Sequence, residues 1–472
     1  MARKQILLNA FNMNCVGHIN HGLWTHPRDR SVDYRQLPYW TDLARTLERG
    51  LFDGLFLADI VGVYDVYQHN VDVTLRESIQ LPVNDPLLLV SAMAAVTNHL
   101  GFGVTVNLSY EQPYLLARRF STLDHLTQGR IGWNIVTGYL DSAARAMGLS
   151  EQVPHDERYE RADEYLDVLY ALWEGSWEAD AVQRDRRARV YADPAKVHRV
   201  RHAGSYYNVD GYHLAEPSPQ RTPVLFQAGS SGRGQRFAAR HAECVFISPP
   251  NRKVARETVQ TLREQLVQAG RRPDDVKVFA GAAVVAGATE GEAREKYADY
   301  LRYASREAAL AHFAASTGID YSQYDLDAPV DYAPGNAIES ATRTAKQHGW
   351  TRRRLLEMFE LGGRYPAIVG SAAQVADELE SWIDETGIDG FNLSRTVVPE
   401  SYEDFIDLVV PELQNRGLYK TAYADGTLRQ RLFGEGDQLP ERHTAASFRR
   451  QAMQPANTDT AGASHCLAKE HS

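Results

Sequence analysis

Short apolar or β-branched runs alternate along the chain with longer stretches whose apolar residues recur every three or four positions. That alternation is expected of βα units around a parallel sheet. In the first third, Gln5 to Phe11, Asp53 to Asp59, Gly101 to Asn107 and Ile131 to Thr137 read as strands. YWTDLARTLERG, DPLLLVSAMAAVTNHL and PYLLARRFSTLDHLTQG read as the helices between them. A further helix, HDERYERADEYLDVLYALWEG, sets Tyr159, Ala162, Tyr165 or Leu166, Leu169 and Leu172 or Trp173 along one stripe, the face of a helix that packs on a sheet.

The pattern lapses over residues 176–222, which are rich in Arg, Asp, Tyr and His and predict an insertion carrying a small hairpin (GSYYNVDGYHLAEP). It resumes with TPVLFQAG, QRFAARHA, CVFIS, VARETVQTLREQLVQAG and VKVFAGAAVVAG. A second irregular stretch over residues 300–365 contains the loop-like SQYDLDAPVDYAPGN, and a last unit holds the strand GFNLSR. Strands ending near Phe11, Asp59, Asn107, Thr137, Gly229, Ser248, Ala286 and Ser394 number eight, the count of a (β/α)8 TIM barrel with insertions. Residues 1–434 are expected to form that one domain, and the polar residues 435–472 a flexible tail.

Charge narrows the function classes. With 51 Lys+Arg against 61 Asp+Glu the chain carries a net charge of −10, which opposes a surface built to coat nucleic acid. Even its longest apolar runs, such as LPVNDPLLLVSAMAAV, fall short of a membrane span, and MARKQILLNAF lacks the apolar stretch and cleavage site of a signal peptide. A cytoplasmic enzyme without a membrane role is expected. Cys15, Cys244 and Cys466 are widely spaced, so neither a disulfide framework nor a thiolate metal site is encoded.

In a barrel of this kind the chemistry lies just beyond the carboxyl ends of the strands. QAGSSGRG follows a strand and opens a helix, so its backbone N–H groups and the Ser230 and Ser231 hydroxyls suit an anion at a helix N-terminus; a solvated turn is the alternative. His155 and Tyr159 stand four apart at the start of their helix and share one face, either toward a common ligand or on a plain amphipathic surface. His18, His21 and His26 crowd the first loop, with no acidic residue there at metal-ligand spacing; hydrogen bonding to an anionic or polarised ligand suits His18 and His21, with His26 also readable as a surface histidine. Asp59 ends an apolar strand, a costly position for a carboxylate unless it is paired or functional. Gly101 and Gly103 read as small residues that let the sheet pack closely. No G-x-G-x-x-G, Walker loop or G-x-S-x-G elbow is present, so no nicotinamide site is indicated.

ARTLERGLFDGLFLAD, AAVTNHLGFGVTVN, PYLLARRFSTLDHLTQGRIGWNIVT, the HDERYERADE helix, ADPAKVHRVRHAGSYYNV and PVLFQAGSSGRG together resemble the flavin-dependent monooxygenases of the bacterial-luciferase superfamily. The resemblance is strongest to the branch of nitrilotriacetate monooxygenase component A and dibenzothiophene-sulfone monooxygenase, and runs from about Gln5 to Leu432. It implies a barrel that binds reduced FMN from a separate NAD(P)H:FMN reductase, uses O2 as co-substrate, and forms homo-oligomers. The implied flavin contacts are Asp59, Asn107, Asn134, His155, Tyr159, Ser230 and Ser231, with no metal. The implied substrate is a small organosulfur compound, dimethyl sulfide first, with another sulfide, a sulfone or an aminopolycarboxylate as alternatives. A non-catalytic FMN-binding protein of the same fold is the reading from a different class. His18 and His21, at the mouth of the barrel, are the catalytic candidates, Cys15 is expected to be pocket wall, and Phe11, Trp24, Tyr64, Trp133, Tyr139 and Phe246 are candidates for apolar walls or core.

Overall fold

The computed structural model describes residues 4–229, 231–331, 338, 342, 345–347, 349–359, 361, 363 and 365–452. All eight expected barrel strands are present: β1 (Leu7–Met13), β2 (Gly54–Ala58), β3 (Gly101–Asn107), β4 (Ile131–Val136), then β9 (Val224–Gln227), β10 (Cys244–Ile247), β11 (Lys277–Gly287) and β13 (Gly390–Ser394). Every neighbouring pair is parallel, and β13 pairs with β1 through Leu7↔Gly390 to Phe11↔Ser394, which closes the barrel. The first insertion supplies β5 (Val182–Asp185) with β6 (Val190–Ala192), and β7 (Val200–Ala203) with β8 (Asn208–Gly211). It is therefore two antiparallel hairpins rather than the one anticipated. β12 (Ala367–Ser371), also unanticipated, lies outside the barrel on the second half of β11, at Ala283↔Ala367 to Gly287↔Ser371.

Alternation along the strands sorts the core. Phe11, Phe56, Phe226, Phe246 and Phe279 fill the barrel interior, which Leu428 and Leu432 plug from below. Leu8, Ala10, Leu55, Leu57, Phe102 and Val104 point outward to the helices. Close packing explains Gly101, where a Cβ would lie 2.7 Å from the Asp53 carbonyl oxygen and from Leu428. Trp133 packs outward against Phe120, Tyr165 and Trp173, so it is core and not a pocket wall.

Two expectations are corrected. The helix expected over DPLLLVSAMAAVTNHL is only a 3-10 turn at Leu87–Leu89 leading into Val90–Ala94. Buried Arg130 donates to the carbonyls of Ala94, Thr97 and Leu100, acceptors that a longer helix would have used internally. The tail, expected to leave the domain at residue 435, instead packs on it. Arg442 donates to both oxygens of Asp275 (2.8 and 2.7 Å), His443 meets the His241 carbonyl at 3.0 Å, and Arg449 donates to buried Glu174 (2.6 Å). Small residues (Ala445, Ala446) and ion pairs fasten this segment, so its sequence shows no apolar periodicity. The rest of the tail, residues 453–472, lies outside the described residues. Among those described, no helix is long and apolar enough to cross a membrane.

Candidate active site

A cavity of ≈ 260 Å³ opens at the carboxyl ends of β2, β3, β4 and β9. Asp59, Ile60 and Val61 follow β2, Thr105 and Asn107 end β3, and Ile135 to Tyr139 end and follow β4. The helix His155–Tyr170 adds His155, Arg158 and Tyr159, and Gln227, Gly229, Ser231 and Phe237 close the far side. Asp59, Asn107, His155, Tyr159 and Ser231, five of the positions proposed from the sequence, thus meet in one cavity. Asn134 does not line it; its amide donates to Thr105 Oγ1 (2.8 Å), one layer below. Ser230 lies outside the described residues.

At one end of the cavity Ser231 caps the helix Gly232–His241. Its Oγ accepts from Gly234 N at 3.0 Å and lies 3.2 Å from His155 Nε2, while His155 Nδ1 meets Asp156 Oδ1 at 2.8 Å. A His155 that donates through Nδ1 presents a bare Nε2, to which Ser231 donates. The Tyr159 ring lies under the Arg233 guanidinium, 5.5 Å from its centroid, and beside Phe237. Burial pushes the Tyr159 phenol up, against the opposing pull of Arg158, Arg233 and hydrogen bonds with Ser231 and Gln227, so it stays a neutral donor. A Cβ on Gly229 would sit 2.2 Å from Gln227 Nε2 and 2.6 Å from the Tyr159 oxygen, and one on Gly234 2.7 Å from that oxygen; the loop closes on the phenol only because both are glycine.

These residues fit FMN. The helix N-terminus, the Tyr159 hydroxyl and the nearby Arg233 suit a phosphate dianion. Gln227 Oε1 in the cavity wall is a buried acceptor without a partner among the described residues, as is Asn134 Oδ1 beneath it, and reduced isoalloxazine carries the N–H groups such acceptors need. Asp59 stands on the wall with its carboxyl pushed up to about 7, chiefly by burial; the Ile60 N–H opposes the rise and Asp85 adds to it.

Beside the cavity, at the carboxyl ends of β1 and β13, lies a second buried cluster. His21 Nε2 and His312 Nδ1 are 3.0 Å apart, so one ring donates to the other. Tyr64 stacks on His312 at 4.8 Å and donates to Gln80 Oε1 (2.6 Å). Ile60, Val61 and Tyr139 belong to the same apolar cluster as Tyr64 and also line the cavity, which joins the two regions. Arg395, 3% exposed, donates to the carbonyls of Cys15 (3.0 Å) and Val16 (2.6 Å) and fixes the first loop.

The first-loop histidines were expected to project over the open barrel mouth. His18 and His21 are buried instead, and neither lines the cavity; His21 packs against His312 of the helix Arg306–Thr317 in the second insertion. His18 is held well below the ordinary imidazole range by burial first, then by Arg395 and His21, so it is neutral. Its ring stands edge-on to Phe11 at 4.6 Å. Burial pushes the Cys15 thiol up to about 12, and it donates only to the Gly17 carbonyl (3.2 Å). His26 bonds Asp299 at 2.9 Å, a contact that fastens the loop. Of the aromatic candidates Tyr139 lines the cavity and Tyr64 joins the histidine cluster, whereas Phe11 and Phe246 are barrel core and Trp24 anchors to the Glu77 carbonyl.

Sequence reasoning missed Arg158, Gln227, Gln80 and His312. Arg158 sat inside a quoted motif without a local sign of its direction. His312 is a single polar residue in the helix segment AHFAAST, where an ordinary core histidine is the default reading.

Residues 19–390 match the family of luciferase-like monooxygenases. The chain is 50% identical over 452 residues to the dimethyl-sulfide monooxygenase of Hyphomicrobium sulfonivorans, covering 95% of this chain and 94% of that one. It is 51% identical over 448 residues to the long-chain alkane monooxygenase of Geobacillus thermodenitrificans, covering 94% and 98%. A solved structure of long-chain alkane monooxygenase superposes with a TM-score of 0.90 over 95% of this chain and all of that one. A riboflavin lyase solved with modified FMN and riboflavin does so with a TM-score of 0.90 at 38% identity, over 94% of this chain and 100% of its own. The barrel, its carboxyl-end cavity and these matches define a flavin-dependent oxygenase of the TIM-barrel class. The chain belongs to the luciferase-like monooxygenases.

Proposed function

We propose that this chain is the oxygenase component of a two-component monooxygenase that takes reduced FMN from a separate NAD(P)H:FMN reductase and oxidises a small organosulfur substrate, dimethyl sulfide first. The observation that carries the reading is the single cavity in which a helix-capping Ser231 with Tyr159 stands at one end and Ile60, Val61, Ile135 and Tyr139 form apolar walls toward the other. Bound reduced FMN supplies the electrons that activate O2. The residues have narrower tasks. Ser231, Tyr159 and the helix N-terminus hold the phosphate, His155 orients Ser231, and Asn107, Gln227 and Asp59 offer polar groups to the ring system. The apolar walls exclude water and receive an apolar substrate. His21, paired with His312, and neutral His18 shape the neighbouring region. One dimethyl sulfide, one O2 and one reduced FMN balance to methanethiol, formaldehyde, water and oxidised FMN.

The similarity to a long-chain alkane monooxygenase supports a second reading, terminal oxidation of an alkane, with the same cofactor and site. The chain with a flavin reductase, FMN and NADH, offered dimethyl sulfide, a long alkane, a sulfone and an aminopolycarboxylate, separates them. Methanethiol and formaldehyde from dimethyl sulfide support the first reading; an alkanol without dimethyl sulfide loss supports the second. FMN binding with no oxygenated product marks a flavin carrier. In the same assay the chain alone is expected not to oxidise NADH, since no dinucleotide fingerprint exists, and an unrelated reductase should restore activity. Fast NADH oxidation by the isolated chain would contradict the two-component reading.

A charge-assisted hydrogen bond to phosphate is typically worth about 1.5–3 kcal/mol, so Ser231→Ala should weaken FMN affinity roughly ten- to a hundredfold. Fluorescence titration measures this. Unchanged affinity would move the phosphate elsewhere.

A further inference from the structure

At the opposite end of the barrel, under the amino ends of β10 and β11, lies a second cavity of ≈ 360 Å³. The turn Arg271–Asp275 forms one wall, Glu243 and Lys277 the roof, and the helix Leu428–Phe433 with the following segment, through Arg442, the remainder. Most of its charges cancel locally. Arg429 donates to both oxygens of Glu243 (2.7 and 2.9 Å), Arg442 to Asp275 and Glu435, and Arg272 to Asp275 (3.0 Å). These arginines use the cavity's three paired carboxylates, and Asp274, the remaining one, is solvent-exposed.

Two cations are left over. The Lys277 ammonium makes no hydrogen bond or ion pair among the described residues and rests 5.6 Å from the centroid of Phe433. Arg271 is 6% exposed, and its guanidinium donates to the carbonyls of Ala239 (3.0 Å) and Asp275 (3.2 Å), while its buried Nε has no partner among the described residues. Glu243 and Asp275 act on this buried guanidinium through space, but both are already bonded to other arginines, so the space roofed by the Lys277 ammonium has one more cation than the carboxylates around it neutralise directly.

We propose that this cavity is a binding site for a phosphate group, free or carried as a small phosphomonoester. A carboxylate presents two oxygens in one plane, whereas a tetrahedral dianion presents acceptors in several directions and so serves cations on two different walls at once. The volume leaves room for a short substituent. Occupancy would join the turn Arg271–Asp275 to the segment that closes the cavity, and so would stabilise the carboxyl-terminal part of the chain.

The test uses the full chain in excess FMN, so that the flavin phosphate site is filled. Inorganic phosphate and glycerol 3-phosphate are titrated separately by calorimetry, with sodium chloride at matched ionic strength as the blank. Saturable one-site binding of either is expected; the arm that binds more tightly identifies the source. Lys277→Met, at a half-buried position, should weaken that binding at least tenfold with FMN affinity unchanged, and Ser231→Ala should leave it intact. Arg271→Gln should act like Lys277→Met; if that variant does not fold, Lys277→Met alone decides. Absence of saturable binding, equal affinity in Lys277→Met, or loss of binding in Ser231→Ala would each overturn the proposal.

Discussion

His21→Ala is expected to lower kcat by up to about 10² while FMN affinity changes less than about twofold, the cost typical of a misplaced positioning residue rather than of a lost acid–base group. The reason is geometric. His21 is buried, and its Nε2 lies 3.0 Å from His312 Nδ1, so the orientation and tautomer of His312 depend on it. Tyr64 stacks on that second imidazole and packs with Ile60, Val61 and Tyr139, which line the cavity proposed to hold FMN. Removing the first ring takes away the hydrogen bond that helps hold the second. His312→Ala should therefore cost a similar factor, and the double variant little more than either single one, because both remove one coupled unit. Cys15→Ala should retain most activity, since its thiol is held protonated and bonds only a backbone carbonyl. A histidine that merely braces the loop would instead lower the melting temperature and leave kcat normal in the folded fraction. Measuring kcat, FMN affinity and Tm on the four variants separates these outcomes, and a normal kcat in His21→Ala sinks the assignment.

The barrel was legible because parallel strands covered on both faces are written as unbroken apolar runs between helical stripes. β11 shows the limit of that reading. Its eleven residues look like one long strand, yet the first half pairs in the barrel and the second half pairs with β12, whose AIVGS is too short to stand out. The site divides in the same way. His155 and Tyr159 were found because helical spacing puts them on one face, and Ser231 because a capped helix follows a strand. Gln227 gives no such sign, and its role comes from a glycine-permitted approach to Tyr159 across the barrel. His312 reaches His21 over 291 residues, a contact created by the packing of an insertion that has no barrel periodicity. The segment after Gly434 was misjudged because ion pairs and small side chains fasten it, and neither leaves a hydrophobic pattern.

Asp59→Asn should raise stability more at pH 8 than at pH 5. In the folded chain the Asp59 carboxyl is held up to about 7, against an ordinary 3.8, chiefly because burial penalises its charge and no cation pairs with it among the described residues. Below 3.8 the folded and unfolded chains both carry the proton, and Asp59 imposes no penalty. Between 3.8 and 7 the unfolded chain has released it and the folded chain has not, so stability falls as pH rises, and above 7 the full penalty remains. A rise from 3.8 to about 7 sets its ceiling at roughly 4 kcal/mol. The amide copies the neutral acid in shape and carries no charge, so the difference in Tm between variant and wild type should widen from pH 5 to about 7 and level off by pH 8. The same proton bears on the cofactor. Below 7 Asp59 can donate a hydrogen bond into the cavity, whereas above it the wall carries an anion, so on the proposed placement of the flavin wild-type FMN affinity should weaken through that pH and the Asn variant's should stay flat. Melting curves and FMN titrations at four pH values test both statements. A Tm difference that does not change with pH would show that Asp59 is ionised throughout, and that the cavity holds a charge its surroundings do not explain.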